Sequence, residues 1–339
     1  MKAISNTKQK ILVTGATGFI GLALCNRLVN EHFDVRVLLR NPVKEKHLPA
    51  ALQAELVLGN LLDSGSLQAA CAGVDIVLHL AGTAHVSSHA EQSVDNDANF
   101  TGSANLIEAA IEQGVKHLVF LSSSLAAAAE MNDGDITAYG RAKRAVEIKL
   151  LEAARQGQLT STILRSVNVY GVGMKGNIAA MISLIHRGLM PRLPVLDSRI
   201  SLLGVEDLAS AILLAANTDR SSQDSQVSQI YTVTDGRVYP ITAIEEAIYQ
   251  ALGKRLPRRK TPAVILYAGA VLAGIMAKIL GRRSSISGRT YRNLTTDNLF
   301  SNDKICAELG FKPSSNLYGM LPQIAEEIVE NRIENRAKK

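Results

Sequence analysis

The sequence predicts an α/β fold, in which a doubly wound parallel sheet is followed by a smaller, mostly helical C-terminal lobe. Short apolar runs alternate with helix-length stretches through the first half of the chain, an order typical of a parallel sheet covered by helices. The runs are nearly continuous in apolar residues, as strands buried on both faces are. The alternation stops after Tyr170, and single sheet-like runs return only near Leu202–Val205 and Ile230–Val233.

The elements follow in order from the amino terminus. An apolar run at Lys10–Val13 ends in a glycine-rich turn, and a helical pattern extends from Phe19 to about Asn30. Further strands are predicted at Phe33–Leu39, Glu55–Leu58, Ile76–Leu80, Leu118–Leu121 and Ser161–Leu164. The helices that separate them are predicted at Ser66–Ala72, Asn99–Gln113 and Ala138–Arg155. The predicted division is one domain over residues 1–170, with returning segments near 200–235, and a smaller lobe over 171–199 and 236–335.

Composition indicates a globular chain with a sizeable core. Of the 339 residues, 47% are hydrophobic and 20% are charged, a balance that disfavours disorder. Trp is absent and aromatic residues make up only 4%, so a base-stacking platform for nucleic acid is not expected.

Positive charge is concentrated late in the chain, whose formal net charge is +6. A solvated basic face and a surface that attracts a phosphate-bearing anion both explain such a concentration. The residues concerned are Lys254, Arg255, Arg258, Arg259, Lys260, Arg282, Arg283, Arg289 and Arg292.

The cysteines and the termini favour a cytoplasmic protein. Cys25, Cys71 and Cys306 have neither the pairing of a secreted scaffold nor the spacing of a metal site, which fits a reducing compartment and predicts no metal. Residues 1–10 are polar, so no signal peptide is predicted. The uncharged stretch Ala263–Ala277 is shorter than the roughly 18–20 residues that a membrane span requires. A buried helix is the favoured interpretation of it, and a weak membrane-surface contact is the alternative.

A glycine-rich turn follows the first strand and opens the first helix. Gly15, Gly18 and Gly21 stand in the stretch Thr14–Gly21. Glycines let the backbone turn tightly beside a pyrophosphate, and the helix start offers that anion its unpaired N–H groups. This context predicts a Rossmann-type dinucleotide-binding domain.

The G-x-x-G-x-x-G spacing with a leading Thr resembles the short-chain dehydrogenase/reductase superfamily. Arg40 follows the second strand, where a base accepts the 2′-phosphate of NADP and an acid binds the ribose of NAD. The sequence therefore favours NADP(H) and leaves NAD open. The further cofactor-binding positions implied by the resemblance are Thr17, Phe19, Ile20, Asn60, Leu61, Leu80, Ala81, Gly82 and Asn99.

A Ser, Tyr and Lys set lies downstream. Tyr139 and Lys143 are four residues apart and share one helix face. A cation beside a phenol lowers its pKa and eases proton transfer near neutrality. Ser122, Ser123 and Ser124 close the fifth strand, at the sheet edge where chemistry is expected. These residues predict that a hydride moves at this site.

Together, these motifs resemble those of an extended short-chain dehydrogenase/reductase of the NAD-dependent epimerase/dehydratase family, which acts mostly on nucleotide sugars. By that likeness Ser124 binds the reacting oxygen and Tyr139 is the general acid/base. Lys143 would tune Tyr139 and hold the nicotinamide ribose, Asn99 would match the family's structural Asn, and Glu147 would be structural. A homodimer is a further expectation of the resemblance.

The resemblance also implies a substrate. Arg165–Gly171 resembles the family's R-x-x-N-x-Y-G segment, which makes Asn168 a neighbour of a sugar diphosphate, and Asn177 would reach the nucleotide. The diphosphate-gripping Arg of many relatives is replaced by Ile200, and Arg199, Arg289 or Arg292 would have to substitute. A nucleotide-diphosphate sugar is therefore the favoured substrate.

Absent acids narrow the chemistry. Leu125-Ala126-Ala127 follows Ser124 where sugar dehydratases that resemble this family carry Asp-Glu, so dehydration is disfavoured. A 4-keto-sugar reductase of polysaccharide biosynthesis is favoured because Arg40 suits NADPH. A 4-epimerase, a reductase of a hydrophobic ketone and a non-catalytic NADP-binding module stay open, although such modules typically lose the Tyr or the Lys.

Overall fold

A computed structural model describes residues 8–82, 98–131, 136–194, 196–218, 228–262, 264 and 296–337 of the chain. The strands are β1 (Lys10–Thr14), β2 (Asp34–Leu39), β3 (Ala54–Leu58), β4 (Ile76–His79), β5 (His117–Ser123), β6 (Thr160–Ser166), β7 (Asn168–Tyr170), β8 (Arg199–Gly204), β9 (Gln229–Val233) and β10 (Val238–Pro240). The helices are α1 (Phe19–Leu28), α2 (Ser64–Cys71), α3 (Ala98–Glu112), α4 (Ser124–Met131), α5 (Ala138–Arg155), α6 (Asn177–His186), α7 (Val205–Asn217), α8 (Ile241–Ala251), α9 (Asp303–Leu309) and α10 (Leu317–Ala337). A short 3₁₀ helix spans Pro42–His47.

Seven parallel strands form the main sheet in the order β3-β2-β1-β4-β5-β6-β9. The predicted α/β, Rossmann-type parallel sheet is thus confirmed. The chain runs outward from β1 to β3 and then starts again on the other side of β1 with β4, and open α/β sheets bind ligands at such a switch point. Here the switch lies between Thr14 and His79, which pair in register at the carboxyl ends of their strands.

Helices cover both faces of this sheet. On one face α2, α3 and α5 pack in a row, and the residues of alternate strand positions, such as Leu12, Val77 and Phe120, are buried against them. Because side chains alternate along a strand, Thr14 and His79 point to this same face. The helices α1 and α7 pack against each other on the remaining face, and α7 also contacts β4, β5 and β6. Burying each Leu or Phe of these layers contributes roughly 1.5–3 kcal/mol.

The chain divides into two compact units. The first comprises residues 1–167, 205–233 and 302–312, and the second comprises 168–204, 234–301 and 313–339. Three segments therefore differ from the predicted division, and the first is residues 168–170, which form β7 and belong to the second unit. Residues 302–312 belong to the first unit, because Lys304 and Glu308 of α9 bond to the β9 strand. The run near 202 does not return to the main sheet, because β8 pairs with β7 and β10 in a separate three-stranded sheet.

The second unit is built around that small sheet and the helices α6, α8 and α10. Asp235 is buried at its centre, and one carboxylate oxygen accepts hydrogen bonds from the hydroxyls of Tyr170 (3.0 Å) and Tyr239 (2.6 Å). Burial raises the pKa of Asp235, while the two phenols act in the opposite direction. The predicted smaller lobe thus contains a sheet as well as helices.

No helix among the described residues is long and apolar enough to cross a membrane. Of the uncharged stretch Ala263–Ala277, only residue 264 lies within the described part of the chain. Both interpretations of this stretch, the favoured buried helix and the weak membrane-surface contact, therefore stay predictions.

Candidate functional site

The glycine-rich turn brings the backbone after β1 against the backbone after β4. Gly15 has a φ of 78°, and a Cβ on it would lie 2.7 Å from the backbone nitrogen of Ala81. A Cβ on Gly21 would collide with the carbonyl oxygen of Gly15. Any larger residue would push these segments apart, so both positions require glycine.

The start of α1 suits an anion. Gly18 caps the helix without a side-chain hydrogen bond, and the first turn carries no acidic residue. The first N–H groups of a helix have no intrahelical partner, and the helix dipole adds to their attraction for a phosphate. The turn and the N–H groups of Phe19 and Ile20, with half-buried Thr17 beside them, therefore fit a dinucleotide pyrophosphate.

The residues predicted to contact the adenosine half follow β2 and β3. Arg40 is exposed directly after β2, and within the described residues its guanidinium makes no ion pair or hydrogen bond. Asn60 uses its side-chain oxygen to accept the Leu62 N–H at 3.1 Å. Leu61 packs closely on α3: a Cβ added to Gly102 would lie 2.9 Å from the Cβ of Leu61.

Three predicted residues converge after β4. A Cβ on Gly82 would lie 3.4 Å from the Lys143 Nζ and 3.8 Å from the Asn99 side-chain oxygen. Lys143 is 4% exposed and donates to the Leu121 carbonyl at 2.8 Å. Its ammonium also lies 4.5 Å from the centre of the Phe120 ring. The catalytic lysine predicted from the sequence therefore stands at the end of β4, beside the predicted nicotinamide-ribose segment Leu80–Gly82.

Ser124 and Tyr139 begin helices that pack tightly against each other. Ser124 is the first residue of α4, and α5 begins one residue before Tyr139. A Cβ on Gly140 would lie 2.6 Å from the Leu125 carbonyl oxygen, so glycine lets the two helix starts approach. Thr137 accepts the Gly140 N–H at 2.8 Å and caps α5. These roles of Gly140 and Thr137 were not predicted from the sequence. A threonine two positions before Tyr139 is nevertheless a typical N-cap residue and could have indicated the helix start.

Burial dominates the electrostatics of the pair. Burial lowers the pKa of Lys143 to about 8, and the charge of Glu147 opposes that shift. Burial raises the pKa of Tyr139 to about 12. The sequence expectation that Lys143 lowers this pKa is wrong for the protein alone, because the ammonium lies 5.8 Å from the centre of the phenol ring and desolvation outweighs its charge. Tyr139 therefore holds its proton at neutral pH.

A buried ionic cluster lies one helical turn beyond Lys143; we call it the Glu147 cluster. Glu147 is fully buried and accepts from the Ser122 hydroxyl at 2.6 Å and from Arg165 at 2.9 and 2.6 Å. Arg144 also contacts Glu147, and both arginines contact Glu130. The structural role expected of Glu147 follows, since it joins α5 to the carboxyl ends of β5 and β6. Arg165, expected only as part of a substrate motif, is the main partner of Glu147.

The predicted substrate-binding residues other than Ser124 belong to the second unit. Asn168 begins β7 and Asn177 begins α6, and both are exposed. Arg199 is paired with Asp297 at 2.7 Å, so its guanidinium is already engaged. Arg289 and Arg292 lie outside the described residues. No group of His, Cys, Asp and Glu that could hold a metal occurs within the described ranges.

Known proteins resemble this chain along most of its length. The model of the NAD dependent epimerase/dehydratase family matches residues 11–231. The UDP-glucose 4-epimerase of Vibrio cholerae is 26% identical over 337 residues, which cover 95% of this chain and 96% of that protein. Human short-chain dehydrogenase/reductase family 42E member 1 is 25% identical, with 90% of this chain and 84% of the relative covered.

Solved structures show the same fold. The UDP-glucose 4-epimerase of Thermotoga maritima, solved with UDP-glucose, superposes with a TM-score of 0.72 at 22% identity and covers 96% of this chain and 100% of its own. The Thermus thermophilus UDP-glucose 4-epimerase, solved with NAD, gives a TM-score of 0.69 at 22% identity over 95% and 99% of the two chains.

Proposed function

The chain belongs to the NAD dependent epimerase/dehydratase family, and on that premise we propose that it reduces the 4-keto group of a nucleotide-diphosphate sugar with NADPH. The observation that best supports this proposal is that Lys143, Gly82 and Asn99 lie close together at the end of β4. A buried ammonium at the predicted nicotinamide-ribose segment is the arrangement that a hydride-transfer enzyme needs. The relatives that act on UDP-glucose support a nucleotide sugar as the substrate.

Each catalytic residue has a separate role in this reduction. When bound, the dihydronicotinamide ring supplies the hydride that adds to the carbonyl carbon. Tyr139 gives its proton to the carbonyl oxygen, and the Ser124 hydroxyl donates a hydrogen bond to the same oxygen. Lys143 would bind the ribose hydroxyls of the cofactor and would place positive charge near the oxygen that receives the proton. The products are the sugar alcohol and the oxidised cofactor.

One observation favours a reductase over an epimerase. The protonated phenol of Tyr139 is the form that begins with a ketone, but an unshifted phenol is also protonated at neutral pH, so the distinction depends on the cofactor site. Arg40 is exposed and lacks a partner among the described residues, so it can pair with a 2′-phosphate. The sequence Leu125-Ala126-Ala127 at the start of α4 also lacks the acid and base that an elimination would use.

Substrate recognition is assigned to the second unit. Asn168 and Asn177 are exposed and can bond to phosphate or base. Arg199 is the weaker candidate, because the diphosphate would have to displace Asp297 from its guanidinium. Arg292 and the homodimer stay predictions.

The 4-epimerase is the second candidate, since several relatives carry that activity in their names. The two chemistries differ in cofactor use. A reductase consumes one NADPH per product, whereas an epimerase returns the hydride and consumes none. We expect stoichiometric NADPH oxidation with 4-keto sugars of UDP, dTDP or GDP. Interconversion of UDP-glucose and UDP-galactose without added cofactor would establish the epimerase instead.

Catalytic roles are tested with Tyr139→Phe. Loss of the general acid should lower kcat about 10²–10⁴-fold, with cofactor affinity kept. The matched control is Tyr318→Phe, which removes a phenol that is 41% exposed in the second unit and should leave kcat unchanged. Equal rates in wild type and Tyr139→Phe would refute the assignment.

Cofactor binding is tested at two positions. Gly15→Ala adds a Cβ against Ala81 and should abolish binding, whereas Gly114→Ala has a similar φ of 69° and nothing within 4 Å. Gly114→Ala should lose about 1 kcal/mol of stability from its backbone conformation alone. Gly15→Ala should lose more, because its Cβ also collides with the backbone of Ala81, and only this variant should lose the dinucleotide.

Arg40→Asp should reverse a preference for NADPH over NADH, with Lys44→Asp, also exposed, as its control. An unchanged preference would refute the NADP assignment.

A further inference from the structure

A buried histidine lies in the sheet directly between the dinucleotide turn and the catalytic lysine. His79 ends β4, pairs in register with Thr14 of β1 and with Phe120 of β5, and is fully buried. Its Nδ1 is 2.7 Å from the Thr14 hydroxyl and its Nε2 is 2.9 Å from the Ser103 hydroxyl of α3. The mechanism above uses neither nitrogen.

These contacts form a chain of hydrogen bonds through His79, and the groups at its two ends determine where each hydrogen lies. The Ser103 hydroxyl donates to the Asn99 carbonyl at 2.7 Å, so toward His79 it can only accept, and the ring hydrogen must sit on Nε2. Nδ1 then accepts from the Thr14 hydroxyl. The Thr14 oxygen in turn accepts the Ala81 N–H at 3.4 Å. The His79 chain thus runs in one direction through Ala81, Thr14, His79, Ser103 and Asn99.

His79 remains neutral in this position. Burial, together with the smaller effect of the neighbouring charge of Lys143, lowers its pKa to about 3. Lys143 is the charged group that faces it from α5, whereas Thr14 and Ser103 are uncharged hydroxyls. A neutral imidazole can donate at one nitrogen and accept at the other, which this chain requires.

Both ends of the chain touch the site. Ala81 is the residue against which Gly15 packs, and Asn99 lies with Lys143 around Gly82. The imidazole also stacks on Phe120, with 5.6 Å between the ring centres. The Lys143 ammonium lies 4.5 Å from the centre of the same Phe120 ring. Movement of His79 would therefore shift the dinucleotide turn and the lysine together.

We propose that His79 is a positioning residue that, as the neutral Nε2–H tautomer, fixes the dinucleotide turn relative to Lys143. The proposal rests on the function proposed above only in taking Lys143 as catalytic. A merely structural histidine is available for comparison in the same sheet. His117 is buried at the opposite end of β5, where its nitrogens contact the hydroxyls of Thr160 and Thr162 at 2.9 and 3.1 Å.

Two substitutions of His79 test its contact with Thr14 and its contact with Ser103 separately. The amide of Asn can replace Nδ1, so His79→Asn keeps the Thr14 contact, whereas the amide of Gln replaces Nε2, so His79→Gln keeps only Ser103. We expect the Kd of the cofactor that the wild type binds more tightly, NADPH or NADH, measured by cofactor fluorescence without substrate, to rise about tenfold in His79→Gln, equivalent to about 1.4 kcal/mol. His79→Asn should stay within about threefold of wild type, and the control His117→Asn should not change Kd.

Two results would overturn the proposal. One is an equal Kd for His79→Gln, His79→Asn and His117→Asn, compared at matched folded fractions. The other is an Nδ1–H tautomer, or a titration of His79 between pH 5 and 8, in imidazole nitrogen NMR spectra of the wild type. Neither readout requires turnover, so failure of every nucleotide sugar as substrate would refute the proposed function and leave this test intact.

Discussion

Two buried polar groups flank Lys143, and they are built on opposite principles. The Glu147 cluster is ionic: the buried carboxylate of Glu147 and the partly exposed carboxylate of Glu130 pair with two guanidiniums, and Ser122 donates to Glu147. The His79 chain is neutral, and each of its hydroxyls both donates and accepts. Both are anchored at the carboxyl ends of central strands, on the face covered by α3 and α5.

Because one group is ionic and the other is neutral, they affect the buried Lys143 in different ways. Charges taken out of water need partners, and an ion pair that loses one partner is strongly destabilising. A neutral chain avoids that penalty and adds no further charge beside Lys143. The negative charge of Glu147, by contrast, raises the pKa of Lys143 against the effect of burial. One group therefore supports the charge of the lysine and the other its position.

Glu147→Gln should produce the largest loss of stability. Arg165 is only 8% exposed and would keep Glu130 as its one carboxylate partner, so we expect unfolding free energy to fall by about 3 kcal/mol. Urea unfolding at an unchanged m-value measures it. Glu152→Gln on the same helix breaks only an exposed pair with Arg155 and should change it by less than about 0.5 kcal/mol. Equal effects of the two variants would show that the cluster is not an energetic unit.

Lys143→Met should stabilise the protein while removing activity. The pKa of Lys143 falls from 10.5 to about 8 through burial, so at neutral pH the folded state carries a desolvated charge. At 1.36 kcal/mol for each pH unit that is about 3 kcal/mol, less about 1 kcal/mol for the lost hydrogen bond to Leu121. The variant should gain about 2 kcal/mol at pH 7.

The pH dependence gives the sign of that effect. Between pH 8 and 10.5 the unfolded state binds the proton and the folded state releases it, so wild-type stability rises with pH through this window. The advantage of Lys143→Met should therefore disappear by about pH 10.5, which chemical unfolding at both pH values checks. A constant advantage across the window would mean that the lysine charge is not its cause.

The sequence predicted the main sheet but not these two clusters. Apolar runs such as Ile76–Leu80 mark buried strands reliably, because burial on both faces leaves little choice of residue. The role of His79 depends on Thr14 and Ser103, which lie 65 and 24 residues away in the chain, and no local pattern encodes such partners. One signal was present, however. Polar residues end buried strands at Thr14 and His79, and Arg165 is the last residue but one of β6, where core residues would be expected.

The glycine-rich turn and the candidate catalytic pair Tyr139 and Lys143 could be identified in the sequence because each is a local motif. The engagement of Arg199 was not, since its partner Asp297 is 98 residues distant. The helix α4 was also missed. It follows β5 without a loop, at Ser124, so no turn residues announce it, and its eight residues are too few for periodicity to indicate a helix.

Ser103→Ala should produce an intermediate effect that differs in kind. It leaves the Nε2–H of His79 and the Asn99 carbonyl without this hydroxyl, a loss of about 1–2 kcal/mol. Because no charge is involved, the loss should be the same at pH 6 and pH 8 and at low and high salt. A loss that shrinks at acid pH would show that His79 becomes protonated in the folded state when Ser103 is removed, because a folded state that takes up the proton escapes the acid destabilisation of a histidine that is kept neutral. The hydrogen bond to Ser103, and not burial alone, would then be what keeps the imidazole neutral.

Lys149→Gln should produce the smallest effect and sets the scale for the others. Lys149 pairs with Glu108 at 2.8 Å, with 34% and 59% of the two side chains exposed. Water and salt screen such a pair, so the loss should be below about 0.5 kcal/mol and should vanish near 1 M salt. The Glu147→Gln loss should persist in the same salt, since buried pairs are screened little. If salt abolished both losses equally, water would have access to the Glu147 cluster, and its difference from the surface pair would rest on geometry rather than on burial.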